Sequence, residues 1–148
     1  MLDTASVKLG SLNGEIISLD DLLKPDKINM LIFYNTNCLG CTGRALPHAY
    51  DLSLNEEKIN LIVIHVSFGT RFFEKEEILS VFTDQNAPFP IYLDEKTELF
   101  NELACEGTPH WIFLTKDGDV QHSIFGSQEG AKIKIQYAIE ELKQSTSV

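Results

Sequence analysis

The chain has 148 residues and a formal net charge of −10 at pH 7. This length suits a single domain, residues 1–148, that buries its own core without metal or disulfide support. The negative charge disfavours nucleic acids and anionic membrane surfaces as partners, because both would be repelled.

The compartment can also be predicted from the sequence. No segment approaches the roughly 20 apolar residues of a membrane span, and the start of the chain lacks the basic and apolar blocks of a signal peptide. We therefore expect a cytoplasmic protein, or an exported one if a native signal peptide precedes the chain shown. Three cysteines, an odd number without a secretory mark, favour catalytic or metal chemistry over a disulfide framework.

Four continuous apolar runs predict strands that are buried on both faces of a largely parallel sheet. They span 28–34, 59–66, 90–93 and 110–115. A fifth strand, 119–125, follows the Asp117-Gly118 turn and alternates in polarity, which predicts an antiparallel hairpin. The early stretch "SLNGEIISL" predicts a small hairpin around Asn13-Gly14.

Helical stretches lie between and after these strands. They are predicted near 41–54, 74–85, 97–104 and 128–143, with Ser127 as a candidate N-cap of the last. The resulting order, βα, βα, βα, ββα, predicts an α/β fold with helices on both sides of a central sheet.

Two cysteines, Cys38 and Cys41, follow the first buried strand at the start of the next helix. Open α/β sheets place their ligands at this end of the strands. The helix start favours an anion, so the pKa of the Cys38 thiol is expected below its usual range. Cys41 lies one turn later, within reach of a disulfide and more buried. This asymmetry predicts that Cys38 attacks a substrate disulfide and that Cys41 resolves the mixed disulfide.

The cysteine pair after "IFYNTN" and the Gly107-Thr108-Pro109 run before a strand resemble the thioredoxin superfamily, specifically its TlpA-like thiol–disulfide oxidoreductases. The resemblance covers about residues 9–143. It implies a thioredoxin-like fold: a central mixed sheet flanked by helices, with an N-terminal extension and a helix–strand–helix insertion before a cis-proline loop. It also implies that Pro109 packs beside Cys38 and that the Thr108 backbone binds an extended substrate segment by strand addition.

Several residues depart from the family pattern. Asn37 stands where the family usually has Trp, and the Leu39-Gly40 pair stands where prolines are common. Pro47 lies one residue further from Cys41 than the family spacing, which favours a bulge or a shifted kink in that helix. Ile32 and Arg44 occupy positions where relatives carry a carboxylate. No general base is therefore assigned, and Arg44 either favours the thiolate or points to solvent.

Other readings of these residues remain open. A scattered zinc site would need Cys38, Cys41, Cys105 and His110, because no second CxxC is present. Cys105 alone is expected to be a small core residue, and His65 a hydrogen-bonded interior histidine. His110 is a weak candidate for tuning the Cys38 pKa.

We therefore predict a thiol–disulfide oxidoreductase that most simply acts as a reductase of protein or small-molecule disulfides. Its site residues are Cys38 and Cys41 as the catalytic pair, with Thr108 and Pro109 contacting substrate. No cofactor and no metal are expected, and an electron-donating reductase is the implied second partner. The alternative is a redoxin-fold binding module that holds a partner or a metal ion with little turnover. Peroxidase chemistry is disfavoured because the Thr-x-x-Cys arrangement is absent.

Overall fold

The computed structural model describes residues 1–68 and 72–146, with the backbone alone for Thr146. These residues form one seven-stranded mixed sheet in the order β2-β1-β5-β4-β3-β6-β7. The strands are β1 Lys8–Ser11, β2 Ile16–Ser18, β3 Ile28–Tyr34, β4 Ile59–Val66, β5 Ile91–Asp94, β6 His110–Leu114 and β7 Val120–Phe125. The three central strands β3, β4 and β5 are parallel, and β6 runs antiparallel to β3.

Helices cover both faces of the sheet. They are α1 Leu19–Leu22, α2 Leu46–Asn55, α3 Lys75–Leu79, α4 Glu98–Glu102 and α5 Glu129–Thr146. A π-helical turn, Cys41–Ala45, leads directly into α2. The predicted α/β class and thioredoxin-like fold are confirmed.

Strand β3 lies at the centre of the core, and all seven of its residues are buried. Met30, Ile32 and Tyr34 belong to the cluster that also contains the buried faces of α2 and α5. Leu31 and Phe33 point to the opposite face, where they belong to the cluster that contains residues of α1 and α4. Burial on both faces explains why the run is continuously apolar rather than alternating.

The predicted strand positions agree with the structure to within about a residue at each end. The strand predicted at 90–93 is Ile91–Asp94, because proline at position 90 has no N–H to donate to a ladder. The hairpin predicted around Asn13-Gly14 forms, and its first strand also pairs antiparallel with β5. The short helix α1 was not predicted.

The helix predicted over 74–85 is wrong in its second half. Helix α3 ends at Leu79, and a short 3-10 turn, Thr83–Gln85, follows. Asp84 and Gln85 adopt positive φ angles of 56° and 55°. Left-handed backbone cannot continue a right-handed helix, so the chain turns toward β5 instead.

Candidate active site

The two cysteines of the CxxC motif form a disulfide. Cys38 and Cys41 are bridged, with their Cα atoms 5.2 Å apart. Cys38 is partly exposed, whereas Cys41 is fully buried in the core cluster beside β3. The backbone N–H of Cys41 donates to the Cys38 Sγ at 3.2 Å. Of the two sulfurs, the structure thus presents Cys38 to an incoming group.

The helix that carries the pair begins irregularly. Residues 39 and 40 are helical, the π-helical turn Cys41–Ala45 follows, and Pro47 sits in the first turn of α2. The shifted Pro47 predicted such a bulge, because a proline at this position cannot donate to the preceding turn. Single π-turns inside helices often occur at functional sites.

A second loop approaches the pair from the far end of the sequence. The Thr108 carbonyl oxygen lies 3.5 Å from the Cys38 Sγ, and the Thr108–Pro109 peptide bond is cis. Pro109 is buried, and its carbonyl accepts a hydrogen bond from the Gly126 N–H at 2.9 Å. The structure therefore brings together Cys38, Cys41 and the Thr108 carbonyl of this loop.

The segment after β7 contacts both halves of this site. A β-carbon at Gly107 would lie 3.0 Å from the Phe125 ring, and one at Gly40 would lie 2.8 Å from the Ser127 Oγ. The Gly126 carbonyl between them accepts from the Trp111 indole N–H at 3.0 Å. A side chain at position 40 would have to displace the Ser127 hydroxyl, and one at position 107 would crowd the Phe125 ring, which the sequence alone did not reveal.

Ser127 does not cap α5 as predicted. The Gln128 carbonyl accepts the first helical hydrogen bond, from the Lys132 N–H at 3.1 Å, so Gln128 occupies the N-cap position. The Ser127 side chain faces Gly40 instead. Capping geometry depends on where the helix begins, and that start differs by one residue from the prediction.

Both ring nitrogens of His110 are engaged away from the disulfide. Nδ1 accepts the Glu106 N–H at 3.2 Å, and Nε2 lies 2.7 Å from the Ser123 Oγ. Because Nδ1 accepts, Nε2 carries the hydrogen and donates it to Ser123. Burial lowers the pKa of His110, and the nearby Glu106 opposes that shift. Neither of these contacts involves Cys38: His110 links the backbone of Glu106 to Ser123 of β7, and a role in tuning the Cys38 pKa stays a prediction.

The remaining candidates are Cys105, Arg44 and His65. Cys105 is partly buried, and burial, with a smaller effect of Asp94, raises the pKa of its thiol to about 12. Arg44 is exposed to solvent. His65 is an interior histidine that accepts a hydrogen bond from the Thr36 N–H.

Within residues 1–68 and 72–146, no cluster of three or more His, Cys, Asp or Glu side chains could hold a metal ion.

Residues 3–123 match the model of the AhpC/TSA family. The chain belongs to the AhpC/TSA family. No protein of curated function matches the sequence significantly. The family match and the Cys38–Cys41 disulfide confirm the predicted enzyme class, a thiol–disulfide oxidoreductase of the thioredoxin superfamily.

Solved structures similar to this AhpC/TSA chain share its fold over nearly their whole length. A proposed thiol:disulfide interchange protein DsbE from Chlorobium tepidum is 15% identical, covers 94% of each chain and has a TM-score of 0.73. A secreted Mycobacterium tuberculosis disulfide oxidoreductase is 13% identical, with 95% of this chain and 99% of that chain covered and a TM-score of 0.69. StoA from Bacillus subtilis is 20% identical, with 87% and 93% covered and a TM-score of 0.62.

No helix within the described part of this AhpC/TSA chain is long and apolar enough to cross a membrane.

Proposed function

We propose that the chain reduces disulfides of protein or small-molecule substrates, with Cys38 as the attacking thiolate and Cys41 as the resolving thiol. One observation carries this proposal. The partly exposed Cys38 sulfur lies 3.5 Å from the Thr108 carbonyl, while Cys41 is buried behind it. A substrate sulfur can therefore reach Cys38 but not Cys41.

The reaction balances as two exchanges. The Cys38 thiolate attacks one sulfur of the substrate disulfide, the S–S bond breaks, and the released substrate sulfur takes a proton. The deprotonated Cys41 then attacks the Cys38 sulfur of the mixed disulfide and expels the second substrate sulfur, which is also protonated. The substrate gains two electrons and two protons, and a dithiol reductase then supplies two electrons and two protons to the Cys38–Cys41 disulfide and is itself oxidised to a disulfide.

The loop at Thr108 and Pro109 supplies the substrate contact in this proposal. A peptide laid beside Thr108 can donate a backbone N–H to the Thr108 carbonyl, as in strand addition, and this mode accepts many sequences. Leu39, 86% exposed between the cysteines, and Phe125, 49% exposed beside Gly107, offer apolar contact on either side. In this proposal, both side chains would contact the apolar parts of a bound substrate segment.

The equilibrium reduction potential of the Cys38–Cys41 pair tests the direction of transfer. We expect a reversible two-electron couple near the thioredoxin value of about −270 mV, together with insulin-disulfide reduction that Cys38→Ser abolishes. A couple near about −120 mV would instead make the chain an oxidant. No reversible couple, or near-zero insulin reduction that does not depend on Cys38, would favour the binding module.

We propose a cytoplasmic location, because a reductase with the potential expected above, near about −270 mV, would match a reducing compartment. The similar protein from Mycobacterium tuberculosis is described as secreted, so the compartment needs its own test. Fractionation of the source cells with an antibody to the chain provides it. Recovery outside the cytoplasm would overturn the proposed compartment and leave the cysteine chemistry intact.

Residues 1–148 are proposed to form one domain. Every described strand belongs to the same sheet, and the N-terminal hairpin is joined to that sheet through β5. A single cooperative urea transition, observed by both fluorescence and circular dichroism, is the expected result. Two separate transitions would indicate two domains instead of one.

A further inference from the structure

Strand β4 holds the loop that leads into Cys38. The Thr36 N–H donates to the His65 Nε2 at 3.2 Å, and the Thr36 hydroxyl lies 3.0 Å from the same atom. The Asn35 side chain donates to the Val66 carbonyl at 2.7 Å. The loop between β3 and the nucleophile is thus tied to the end of the neighbouring strand at two consecutive residues.

The hydrogen-bond pattern fixes the state of the His65 ring. Because Nε2 accepts a backbone N–H, it carries no hydrogen, and the Thr36 hydroxyl must donate to it as well. The ring is 2% exposed and makes edge contacts with Tyr34 and Phe73, at centroid distances of 5.1 and 4.8 Å. A neutral, packed imidazole is a rigid acceptor.

We propose that His65 is a positioning residue for Cys38: its Nε2 holds Thr36 so that the Cys38 sulfur stays above the start of the active-site helix. This inference rests on the proposed function, in which Cys38 attacks as a thiolate. His65 touches neither sulfur nor substrate and acts through the loop.

The link from Thr36 to the sulfur is short. The Cys38 N–H donates to the Asn35 carbonyl at 3.0 Å, so the loop that His65 holds also fixes the backbone of Cys38. The Cys41 N–H points at the Cys38 sulfur from 3.2 Å. In the reduced protein, this N–H and the helix start stabilise the thiolate, and both depend on where Cys38 lies.

Removing the His65 Nε2 acceptor should therefore destabilise the Cys38 thiolate. Without it, the Thr36 N–H loses its partner and must turn toward water, because an unsatisfied backbone donor is costly. The loop then turns with it and carries Cys38 away from the Cys41 N–H. The pKa of the Cys38 thiol rises and its reactivity near neutral pH falls.

Two substitutions separate positioning from packing. His65→Phe keeps an aromatic ring between Tyr34 and Phe73 but has no acceptor. His65→Gln loses the ring but can place an amide oxygen near the Nε2 position. Both are made in a Cys105→Ser background, reduced, and treated with iodoacetamide, and modification of Cys38 is followed by peptide mass spectrometry across pH. Thermal unfolding is measured on the same samples.

We expect His65→Phe to lower the Cys38 alkylation rate at pH 7 at least ~5-fold and to raise its apparent pKa, because a rise of one pKa unit costs up to about tenfold in thiolate. His65→Gln should stay within about twofold of the parent rate while unfolding at a lower temperature, since it loses ring packing. The opposite ranking, with reactivity following thermal stability, would overturn the proposal and leave His65 a core residue.

A second substitution covers the case in which His65→Phe does not fold. Thr36→Val removes the hydroxyl donor and leaves His65 in place, and a roughly twofold fall in alkylation rate is expected, because one of two hydrogen bonds is lost. An unchanged rate would contradict the proposal. The wild-type redox couple and insulin activity, measured in parallel, show independently whether the proposed function itself holds.

Discussion

Gly40, between the two cysteines, packs against Ser127, and a β-carbon added at Gly40 would lie 2.8 Å from the Ser127 Oγ. Gly43, three residues later in the same helical run, has no heavy atom within 4 Å of the corresponding position. The helical run at residues 39–55 thus contains two glycines, one in contact with the β7–α5 segment and one open to solvent.

Alanine substitutions at these glycines should differ in stability. Gly43→Ala is expected to raise the free energy of unfolding by about 0.5–1 kcal/mol, because alanine favours helix over glycine. Gly40→Ala gains the same helix propensity but must displace the Ser127 hydroxyl. We therefore expect its free energy of unfolding to lie about 0.5–1.5 kcal/mol below that of Gly43→Ala. Urea unfolding of the oxidised proteins measures both, and adding Ser127→Ala should close the gap. A gap that persists would assign the difference to something other than the hydroxyl.

His110 should make the protein less stable in acid. Its pKa is lowered in the folded protein, so the unfolded chain binds more protons between the two pKa values. Its contribution to stability is fully present above the unfolded value of about 6.5 and is lost as the pH falls through the lower folded value. We expect the free energy of unfolding of wild type to fall between pH 7.5 and 5 more steeply than that of His110→Gln.

The control for this comparison is His122→Gln. His122 lies near the surface and pairs with Glu141 at 2.9 Å, so this variant removes a histidine without touching the contacts of His110. The pKa of His48 is also lowered by burial, so part of the loss will remain in every variant. Equal slopes for wild type and His110→Gln would refute the assignment to His110.

The two cysteine variants should trap substrate unequally. Cys41→Ser leaves the Cys38 thiolate able to attack but removes the thiol that resolves the mixed disulfide, so covalent complexes should accumulate. Cys38→Ser leaves the buried Cys41 as the remaining thiol of the pair, and no trapping is expected. Non-reducing gels with a disulfide substrate provide the measurement. Equal trapping by both variants would contradict the assigned roles.

The Cys105 thiol should be unreactive near neutral pH. Burial raises the pKa of its thiol to about 12, so on the order of one thiol in 10⁵ is ionised at pH 7. In the fully reduced protein, iodoacetamide should modify Cys38 long before Cys105, and Cys105→Ser should retain insulin-reduction activity within about twofold. Rapid labelling of Cys105, or a large loss of activity, would make this thiol a participant.

Local pattern was enough to predict the strands and the cysteine pair. The runs at 28–34 and 59–66 coincide with β3 and β4, because strands covered on both faces are largely apolar rather than alternating in polarity. The place of Cys38 at a helix start follows from neighbouring residues alone. The α/β class and the disulfide chemistry were therefore available from sequence.

Only the tertiary structure determined the contacts between residues that are far apart in the chain. Thr36 and His65 are separated by 29 positions, and Cys38 and Thr108 by 70. No periodicity encodes which side chain fills the space beside Gly40, or that both nitrogens of His110 are used by Glu106 and Ser123. These assignments depend on sheet order and register, which place β4 and β6 on either side of β3, the strand that leads to Cys38, with β7 beyond β6.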